Sequence, residues 1–185
     1  MKLLRFIIII FISLTTSIKA DLYKNLINQL EDGGKLIFIR HAYAPGNGDP
    51  AGFNLNDCST QRNLSDDGRK QAQRIGEFFT KNKIEIDKVL SSEWCRCKET
   101  AKIAFKNYST NSFLNSFYSS KFSKNKDKQV KAFNYYIKNL ESKKNLIFVT
   151  HYVFISEVLN YGPSSGEIVV SDKNLNIIGS IEIDF

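Results

Sequence analysis

The sequence predicts a three-layer α/β/α sandwich around a mostly parallel sheet. Two short stretches are too short for helices and are continuously apolar, Leu36–Ile39 within the segment Lys35–Ile39 and the segment Leu146–Val149, and Ile86–Leu90 is a further strand candidate between them. Stretches of this kind are typical of strands that are buried on both faces. Segments with helical spacing of ten or more residues separate them, and alternation of strands with helices favours a parallel sheet covered by helices on both sides. The 185 residues are 42% hydrophobic and 24% charged, which excludes disordered, collagenous and coiled-coil classes and fits one domain.

Five helices are expected from spacing and capping signals. The first, Asp21–Glu31, is followed by two glycines that end it. Ser65 is a suitable N-cap for the second, which has an acidic first turn and ends near Asn82. The third runs from the Ser91-Ser92 pair through Phe105. The last two are expected around Val130–Leu140 and over Val153–Asn160.

Irregular segments and late strands complete the predicted chain. Ala44–Gln61 is rich in Gly, Pro, Asn and Asp, and so long a loop in a compact domain is usually functional. Residues 106–126 are polar and irregular, with a short strand expected around Phe113–Tyr118. Ile168–Val170 and Ile177–Ile183 are expected to form two strands at or near a sheet edge.

The first twenty residues are interpreted as a secretory signal rather than as part of the fold. Met1–Ala20 begins with two cationic residues, continues with an apolar run from Phe6 to about Leu14, and ends in small and polar residues. A membrane anchor would need about 20 apolar residues, and this run is shorter. We therefore expect cleavage near Ala20 or after Ser17, a domain over residues 21–185, and a periplasmic or secreted product without a stable membrane span.

Charge and cysteine content restrict the partners. The net charge of +7 falls to +4 without the first twenty residues, and no basic stripe is present. Nucleic-acid binding is therefore not expected. An exported chain is exposed to oxidising conditions, so one disulfide and one free thiol are expected, with Cys58 joined to either Cys95 or Cys97. No histidine stands at ligand spacing from these cysteines, so no metal is expected.

Both histidines of the chain follow buried strands. His41 comes directly after Arg40, at the end of the first strand, and His151 follows the third. The second strand ends in serines, and Arg96 lies one turn into the next helix. Ligands of parallel α/β folds bind beyond the carboxyl ends of the strands. Two imidazoles and two guanidiniums at one crevice predict a phosphate site, because Arg forks match phosphate oxygens and helix N-termini favour anions.

A histidine in such a pocket is also suited to catalysis. Neutral imidazole is a competent nucleophile at phosphorus near pH 7, and cationic neighbours lower its pKa and keep it neutral. The same cations stabilise charge on the equatorial oxygens during phosphoryl transfer. Neither a metal nor another cofactor is then required.

Four segments, in this order along the chain, resemble the histidine phosphatase (phosphoglycerate mutase-like) superfamily. Arg40–Ala42 resembles its Arg-His-Gly signature, and Arg62–Ala72 is similar to its Arg-x-Leu-Thr-x-x-Gly-x-x-Gln-Ala helix start. Ser91–Ala101 is similar to its Ser-Ser-x-x-x-Arg-Ala-x-x-Thr-Ala segment, and Val149–His151 matches its second-histidine strand.

The resemblance implies a role for each matched residue. His41 is the expected nucleophile, which becomes phosphohistidine. Arg40, Arg96 and His151 are expected to bind the phosphoryl oxygens, and Arg62 is expected to contact the phosphate or the substrate from the variable loop.

Two departures from the family pattern affect these expectations. Ala42 replaces the usual glycine, which requires a negative φ there. Tyr152 follows His151, where the acid-phosphatase branch has its proton-donating Asp. Glu93, beside Ser92, is therefore the candidate general acid, with a helix first-turn role as the alternative.

Hydrolysis of a phosphomonoester or another phosphorylated small molecule is the expected activity. A phosphomutase would need a lid that excludes water, and the chain lacks the helical insertions that would supply one. A non-catalytic phosphate- or phosphoglycan-binding protein is the alternative from another class. The Ala44–Gln61 loop and residues 106–126 are expected to form the substrate wall.

Overall fold

A computed structural model of the protein describes residues 21–184. The segment predicted to be a signal, Met1–Ala20, lies outside the described residues. Six strands form one sheet in the order β3-β2-β4-β1-β5-β6. The strands are β1 (Leu36–Arg40), β2 (Ile86–Ser91), β3 (Ser109–Thr110), β4 (Asn145–Thr150), β5 (Ile168–Ser171) and β6 (Ile177–Ile181).

Five of the six helices in residues 21–184 occupy predicted segments, and the sixth, Ser120–Ser123, lies in the stretch 106–126 that the sequence predicts to be irregular. Residues 21–31 are helical and are labelled α1. The others are α2 (Asp66–Lys81), α3 (Cys95–Phe105), α4 (Ser120–Ser123), α5 (Lys126–Lys138) and α6 (Tyr152–Leu159). The hydroxyl of Ser65 caps α2 as expected, since it accepts a hydrogen bond from the Gly68 N–H at 3.1 Å.

The sheet is mostly parallel, as predicted. β1 pairs in parallel with β4, β4 with β2, and β2 with β3. β5 runs the other way, because it is antiparallel to β1 on one side and to β6 on the other. The predicted position of the two late strands at or near a sheet edge is confirmed, since β6 is the edge strand and β5 lies next to it.

Helices cover both faces of the sheet, which confirms the sandwich. Along β1, Ile37 and Ile39 pack with residues of α1, α2 and α3. The alternate residues, Leu36 and Phe38, pack with residues of α5 and α6 on the opposite face. Side chains alternate along a strand, so a continuous apolar run fills both layers.

The strand expected around Phe113–Tyr118 is wrong. Ser112–Leu114 forms a short 3₁₀ turn, begun by Asn111, whose side chain accepts a hydrogen bond from the Phe113 N–H at 3.1 Å. The buried Gln129 of α5 donates to the backbone carbonyl of Ser112 at 3.0 Å. The backbone of this segment is hydrogen-bonded to the side chains of Asn111 and of Gln129 in α5. It therefore does not pair with a strand of the sheet.

The disulfide is between Cys58 and Cys95, one of the two pairings that the sequence allows. Cys97 is free and buried. Burial raises the pKa of the Cys97 thiol to about 12, so the group stays protonated. The bond joins the long loop after β1 to the first residue of α3, next to Arg96.

Replacing Cys58 and Cys95 together by serine is expected to lower the free energy of unfolding by about 4 kcal/mol, because the bridge closes a loop between residues 37 apart. Chemical denaturation measures the loss. Reductant should destabilise the wild type by a similar amount and leave the double variant unaffected. Equal unfolding midpoints for oxidised and reduced wild type would contradict the expectation.

Within residues 21–184, no helix is both long and apolar enough to cross a bilayer. In the same residues, no His, Cys, Asp and Glu side chains form a group of three or more that could hold a metal ion.

Candidate active site

Parallel pairing of β1 and β4 brings the two histidines together. Arg40 and Thr150 are register partners at the carboxyl ends of these strands, and the His41 N–H donates to the Thr150 carbonyl at 2.9 Å. His41 and His151 each follow a strand end, and their ring centroids lie 5.5 Å apart. Both side chains are 3% exposed. The strand-end pattern in the sequence therefore corresponds to a real juxtaposition.

Arg96 joins both imidazoles from the first turn of α3. Its Nε donates to Nε2 of His41 at 3.1 Å, and its Nη2 contacts Nδ1 of His151 at 3.4 Å. The guanidinium is buried, and its outer edge is turned to the loop after β1. One cation thus lies against both rings.

The hydrogen bonds fix the tautomer of His41. A guanidinium can only donate, so Nε2 of His41 must accept from Arg96. The ring proton is then on Nδ1, which donates to the Ala42 carbonyl at 2.9 Å. This leaves the lone pair on Nε2, the nitrogen nearest the cation.

A similar chain of hydrogen bonds orients His151. Its Nδ1 accepts from Arg96, so Nε2 carries the proton and donates to the Ser92 hydroxyl at 2.9 Å. The Ser92 hydroxyl in turn donates to the Asn115 side-chain oxygen at 3.1 Å. The Trp94 ring lies edge-on to His151, with centroids 5.4 Å apart.

The surroundings keep both imidazoles neutral. Burial lowers the pKa of His41 well below its ordinary value, and the positive charge of Arg96 lowers it further. Burial and Arg96 act in the same direction on the pKa of His151. Protonation of either ring would place a second buried cation beside the guanidinium. Nε2 of His41 is therefore held unprotonated.

Residues from α2 and α3 hold the backbone that follows His41. The Ala42 N–H donates to the Thr100 hydroxyl at 3.0 Å, and the Tyr43 N–H donates to Gln71 at 2.9 Å. A Cβ on Gly68 would meet the Tyr43 carbonyl at 1.9 Å, so only glycine fits there. Ala42 is absent from the non-glycine residues of 21–184 that have a positive φ, which satisfies the condition for alanine in place of glycine.

Arg40 lies at the edge of the same cavity. Its Nη1 donates to the Pro163 carbonyl at 2.9 Å, and its guanidinium lies over the Tyr152 ring at 5.5 Å. Its Nε is buried without a hydrogen-bond partner. Burial lowers the pKa of Arg40, and the buried Nε–H is a donor that an oxyanion would satisfy.

Arg62 also lines the cavity and organises the loop after β1. Its Nε donates to the Gly48 carbonyl at 2.7 Å, and its Nη1 donates to the Ala44 carbonyl. Its backbone N–H donates to Asp49 at 3.3 Å. Two donors of the Arg62 side chain are therefore used within the loop, and its positive charge lies at the cavity surface.

Glu93 is not brought to the cavity. Its carboxylate accepts a hydrogen bond from the Asn115 amide at 2.5 Å, and its backbone N–H donates to the Asn115 side-chain oxygen at 2.9 Å. Glu93 is absent from the residues that line the cavity. The carboxylate proposed from sequence as the acid thus serves the positioning of Asn115.

Sequence reasoning missed Asp49. Its carboxylate accepts from Nη1 of Arg96 at 2.6 Å and from Nη2 at 3.2 Å, and it accepts from the Trp94 indole at 3.0 Å. Burial acts to raise the pKa of Asp49, but the hydrogen bonds and charge of Arg96 outweigh it and keep the pKa below its ordinary value. The Ala44–Gln61 loop contains two aspartates, Asp49 and Asp57, and no local pattern marks Asp49 as the buried one.

These groups surround one cavity of about 360 Å³. The loop after β1 and the segment before α5 both contribute to its wall, as the sequence predicts. Aromatic rings form one side, with Phe53 and Trp94 stacked at 5.1 Å and Phe122 edge-on to both. The charged residues that line the cavity are Arg40, Asp49, Arg62, Arg96 and Lys121.

Comparisons with known proteins find a family model and solved structures that are similar to this chain. The model of the histidine phosphatase superfamily (branch 1) matches residues 36–113. The protein histidine phosphatase SixA, solved with tungstate, is 15% identical with a TM-score of 0.59, and the alignment covers 81% of this chain and 96% of that one. A search of the curated proteins finds no match.

Two further solved structures share the fold. A putative phosphohistidine phosphatase SixA from Agrobacterium tumefaciens is 16% identical with a TM-score of 0.56, covering 80% of this chain and 98% of that one. A phosphoglycerate mutase from Thermus thermophilus is 16% identical with a TM-score of 0.57, covering 81% and 99%. At these identities the likeness concerns the fold.

A three-layer α/β protein with two neutral histidines and a buried arginine at the strand ends is suited to binding a phosphoryl group. The match of the histidine phosphatase superfamily model to residues 36–113 supports a histidine phosphatase or phosphoglycerate mutase-like protein. The same match supports a phosphatase or phosphomutase type of activity.

Proposed function

We propose that this chain is a phosphatase that hydrolyses a phosphorylated small molecule through a phosphohistidine formed on His41. The observation that carries the proposal is the contact between Nε2 of His41 and Nε of Arg96 at 3.1 Å. The imidazole is neutral with its proton on Nδ1, and it lies on a cavity that is lined by further cations. Neutral nitrogen supplies the nucleophile, and the cations attract the dianionic phosphoryl group.

The nearby donors suit the transferring group. Arg96 and Arg40 present guanidinium N–H groups, and the Arg40 Nε has no partner among residues 21–184. His151 contacts the same Arg96 and completes the ring around the anion site. Arg62 also lines this cavity and is suited to contacting the rest of the substrate. The guanidinium groups would neutralise charge on the equatorial oxygens in the transition state.

The reaction balances in two steps. Nε2 of His41 forms a bond to phosphorus as the bond from phosphorus to the leaving oxygen breaks, and the leaving oxygen takes a proton. Water then attacks phosphorus, loses a proton, and releases inorganic phosphate as the N–P bond breaks. A phosphomutase would differ only in the second step, where a substrate hydroxyl replaces water.

Export to the periplasm or outside the cell is part of the proposal. The support is the N-terminal sequence Met1–Ala20 together with the Cys58–Cys95 bond, since stable disulfides are a feature of oxidising compartments.

A trapping experiment tests the function. The wild type is mixed with an aryl phosphate, quenched in alkali, and analysed for free phosphate and for a phosphoryl group on His41, which is stable in alkali and labile in acid when it is a phosphohistidine. We expect both products. Absence of any phosphoenzyme and of any phosphate release would refute the proposal. Transfer to an added alcohol without free phosphate would instead indicate a mutase.

A further inference from the structure

One carboxylate, that of Asp49, lines the cavity within the described residues. Hydrolysis through a phosphohistidine needs a group that protonates the leaving oxygen and later accepts a proton from water. Asp49 is therefore the one acidic side chain that reaches the reacting space from residues 21–184. Its side chain is 16% exposed, so it lies between the buried Arg96 and the open cavity.

Asp49 occupies the donors that a phosphoryl group needs. Its two oxygens accept from Nη1 and Nη2 of Arg96 at 2.6 and 3.2 Å. The third donor of that guanidinium, Nε, is directed at His41 Nε2. A phosphoryl group bound at His41 would meet the same guanidinium, so carboxylate and phosphoryl oxygens must lie side by side or exchange places.

This proximity changes the proton affinity of Asp49 when substrate binds. In the free protein, Arg96 and the Trp94 indole favour the ionised carboxylate. A phosphoryl dianion that takes over the Arg96 donors removes that support and places negative charge next to the carboxylate. Both effects favour protonation of Asp49 at the stage when the leaving oxygen needs a proton.

Other groups near the site are poorly suited to this role. The Nε2 proton of His151 is donated to Ser92 at 2.9 Å, in a ring that is 3% exposed. Glu93 is held by Asn115 and does not line the cavity.

The loop that carries Asp49 holds the carboxylate in a defined position. Gly46 and Gly48 precede it with positive φ values of +89° and +65°, which favour glycine. Arg62 donates to the Gly48 carbonyl at 2.7 Å and its backbone N–H to Asp49 at 3.3 Å. Arg62 thus restrains both the backbone at Gly48 and the Asp49 carboxylate.

We propose that Asp49 is the general acid and base of this site. Its carboxyl proton passes to the leaving oxygen as the P–O bond breaks and the His41 N–P bond forms. The resulting carboxylate then takes a proton from the water that attacks phosphorus, which regenerates the acid as phosphate leaves. This inference rests on the proposed function and names a catalytic residue for it.

A leaving-group series tests the proposal with Asp49→Asn. Phenyl phosphate expels a weakly acidic phenol that needs a proton, whereas 2,4-dinitrophenyl phosphate expels a strongly acidic phenol that needs none. With phenyl phosphate, kcat/KM should fall on the order of 10²- to 10⁴-fold. With the dinitrophenyl ester the first burst of phenol release should be nearly unchanged. Asp67→Asn, at an exposed aspartate paired with Lys70, is the control and should match the wild type with both esters.

The outcomes separate the alternatives. An equal loss on both esters would mean that Asp49 only positions Arg96, and no loss on either would mean that it has no role; both results overturn the proposal. Selective loss on phenyl phosphate in Glu93→Gln instead of Asp49→Asn would also overturn it. A wild type that releases phenol from neither ester, and forms no phosphohistidine, would point to failure of the proposed function itself.

Two measurements keep the test valid if Asp49→Asn folds poorly. Asp49→Glu retains a carboxyl group and should recover part of the rate on phenyl phosphate, with little change on the dinitrophenyl ester. In the wild type alone, kcat/KM should depend only weakly on the acidity of the leaving phenol. A steep dependence in the wild type would show that no general acid operates.

Discussion

Replacing His41 by asparagine is expected to reduce kcat/KM on an aryl phosphate on the order of 10⁴-fold or more and to abolish the phosphoenzyme. His41 presents an unprotonated Nε2 beside Arg96, because its ring proton is on Nδ1 and is donated to the Ala42 carbonyl. Asparagine keeps an oxygen that can accept from Arg96 Nε, so the guanidinium is not left without an acceptor. Alkaline-quench labelling and steady-state phosphate release measure the effect.

The binding of inorganic phosphate provides the control for this variant. Because Arg40, Arg96 and His151 are retained in His41→Asn, phosphate should still bind and raise the melting temperature. Retained binding with lost turnover identifies a catalytic role. Equal turnover by wild type and variant would contradict the nucleophile assignment, and it is the result expected of a protein that only binds phosphate.

The central strands were predictable because burial on both faces leaves a strong signal. β1 and β4 each contain four consecutive apolar residues followed by a polar one, and the structure places the two strands as parallel neighbours. From that pairing alone, the residues after each strand must be adjacent. This is why His41 and His151 could be brought together without any knowledge of side-chain geometry.

The acid could not be predicted in the same way. Glu93 follows a strand end, but its side chain is turned away by hydrogen bonding to Asn115. Asp49 lies in a loop of irregular backbone, where its position depends on Arg62, Arg96 and Trp94 acting together. A periodic pattern specifies strands and helices, whereas a loop contact is specified by several side chains that are distant in sequence.

The cysteine pairing shows a similar limit. Cys95 and Cys97 are separated by a single residue on α3. Their positions in the sequence therefore do not show which of them forms the disulfide with Cys58. The helix turns Cys97 inward, where its Sγ is 3.5 Å from His151 Nε2, and leaves Cys95 for Cys58. The direction of one helical face decides the pairing, and that direction depends on the packing of α3 against the sheet.

Replacing Arg96 by alanine is expected to cost about 3–4 kcal/mol in transition-state stabilisation, a loss on the order of 10²- to 10³-fold in kcat/KM. The guanidinium touches His41, His151 and Asp49 at once, so no other group can replace its charge. Arg96→Lys should recover only part of the rate, because an ammonium cannot donate to these partners in the same fork. Arg69→Ala is the control, since Arg69 pairs with carboxylates outside the cavity and is 43% exposed.

The pH profile distinguishes an electrostatic role of Arg96 from a merely structural one. Its positive charge helps to lower the pKa of His41, so in Arg96→Ala that pKa should rise, although burial still acts to lower it. A higher pKa means that His41 becomes protonated, and loses its lone pair, at less acid pH. The acid limb of kcat/KM should therefore move to higher pH in the variant than in the wild type or in Arg69→Ala. A loss of rate with an unchanged acid limb would indicate that Arg96 only supports packing, since removal of a cation beside a neutral imidazole cannot leave its proton affinity the same.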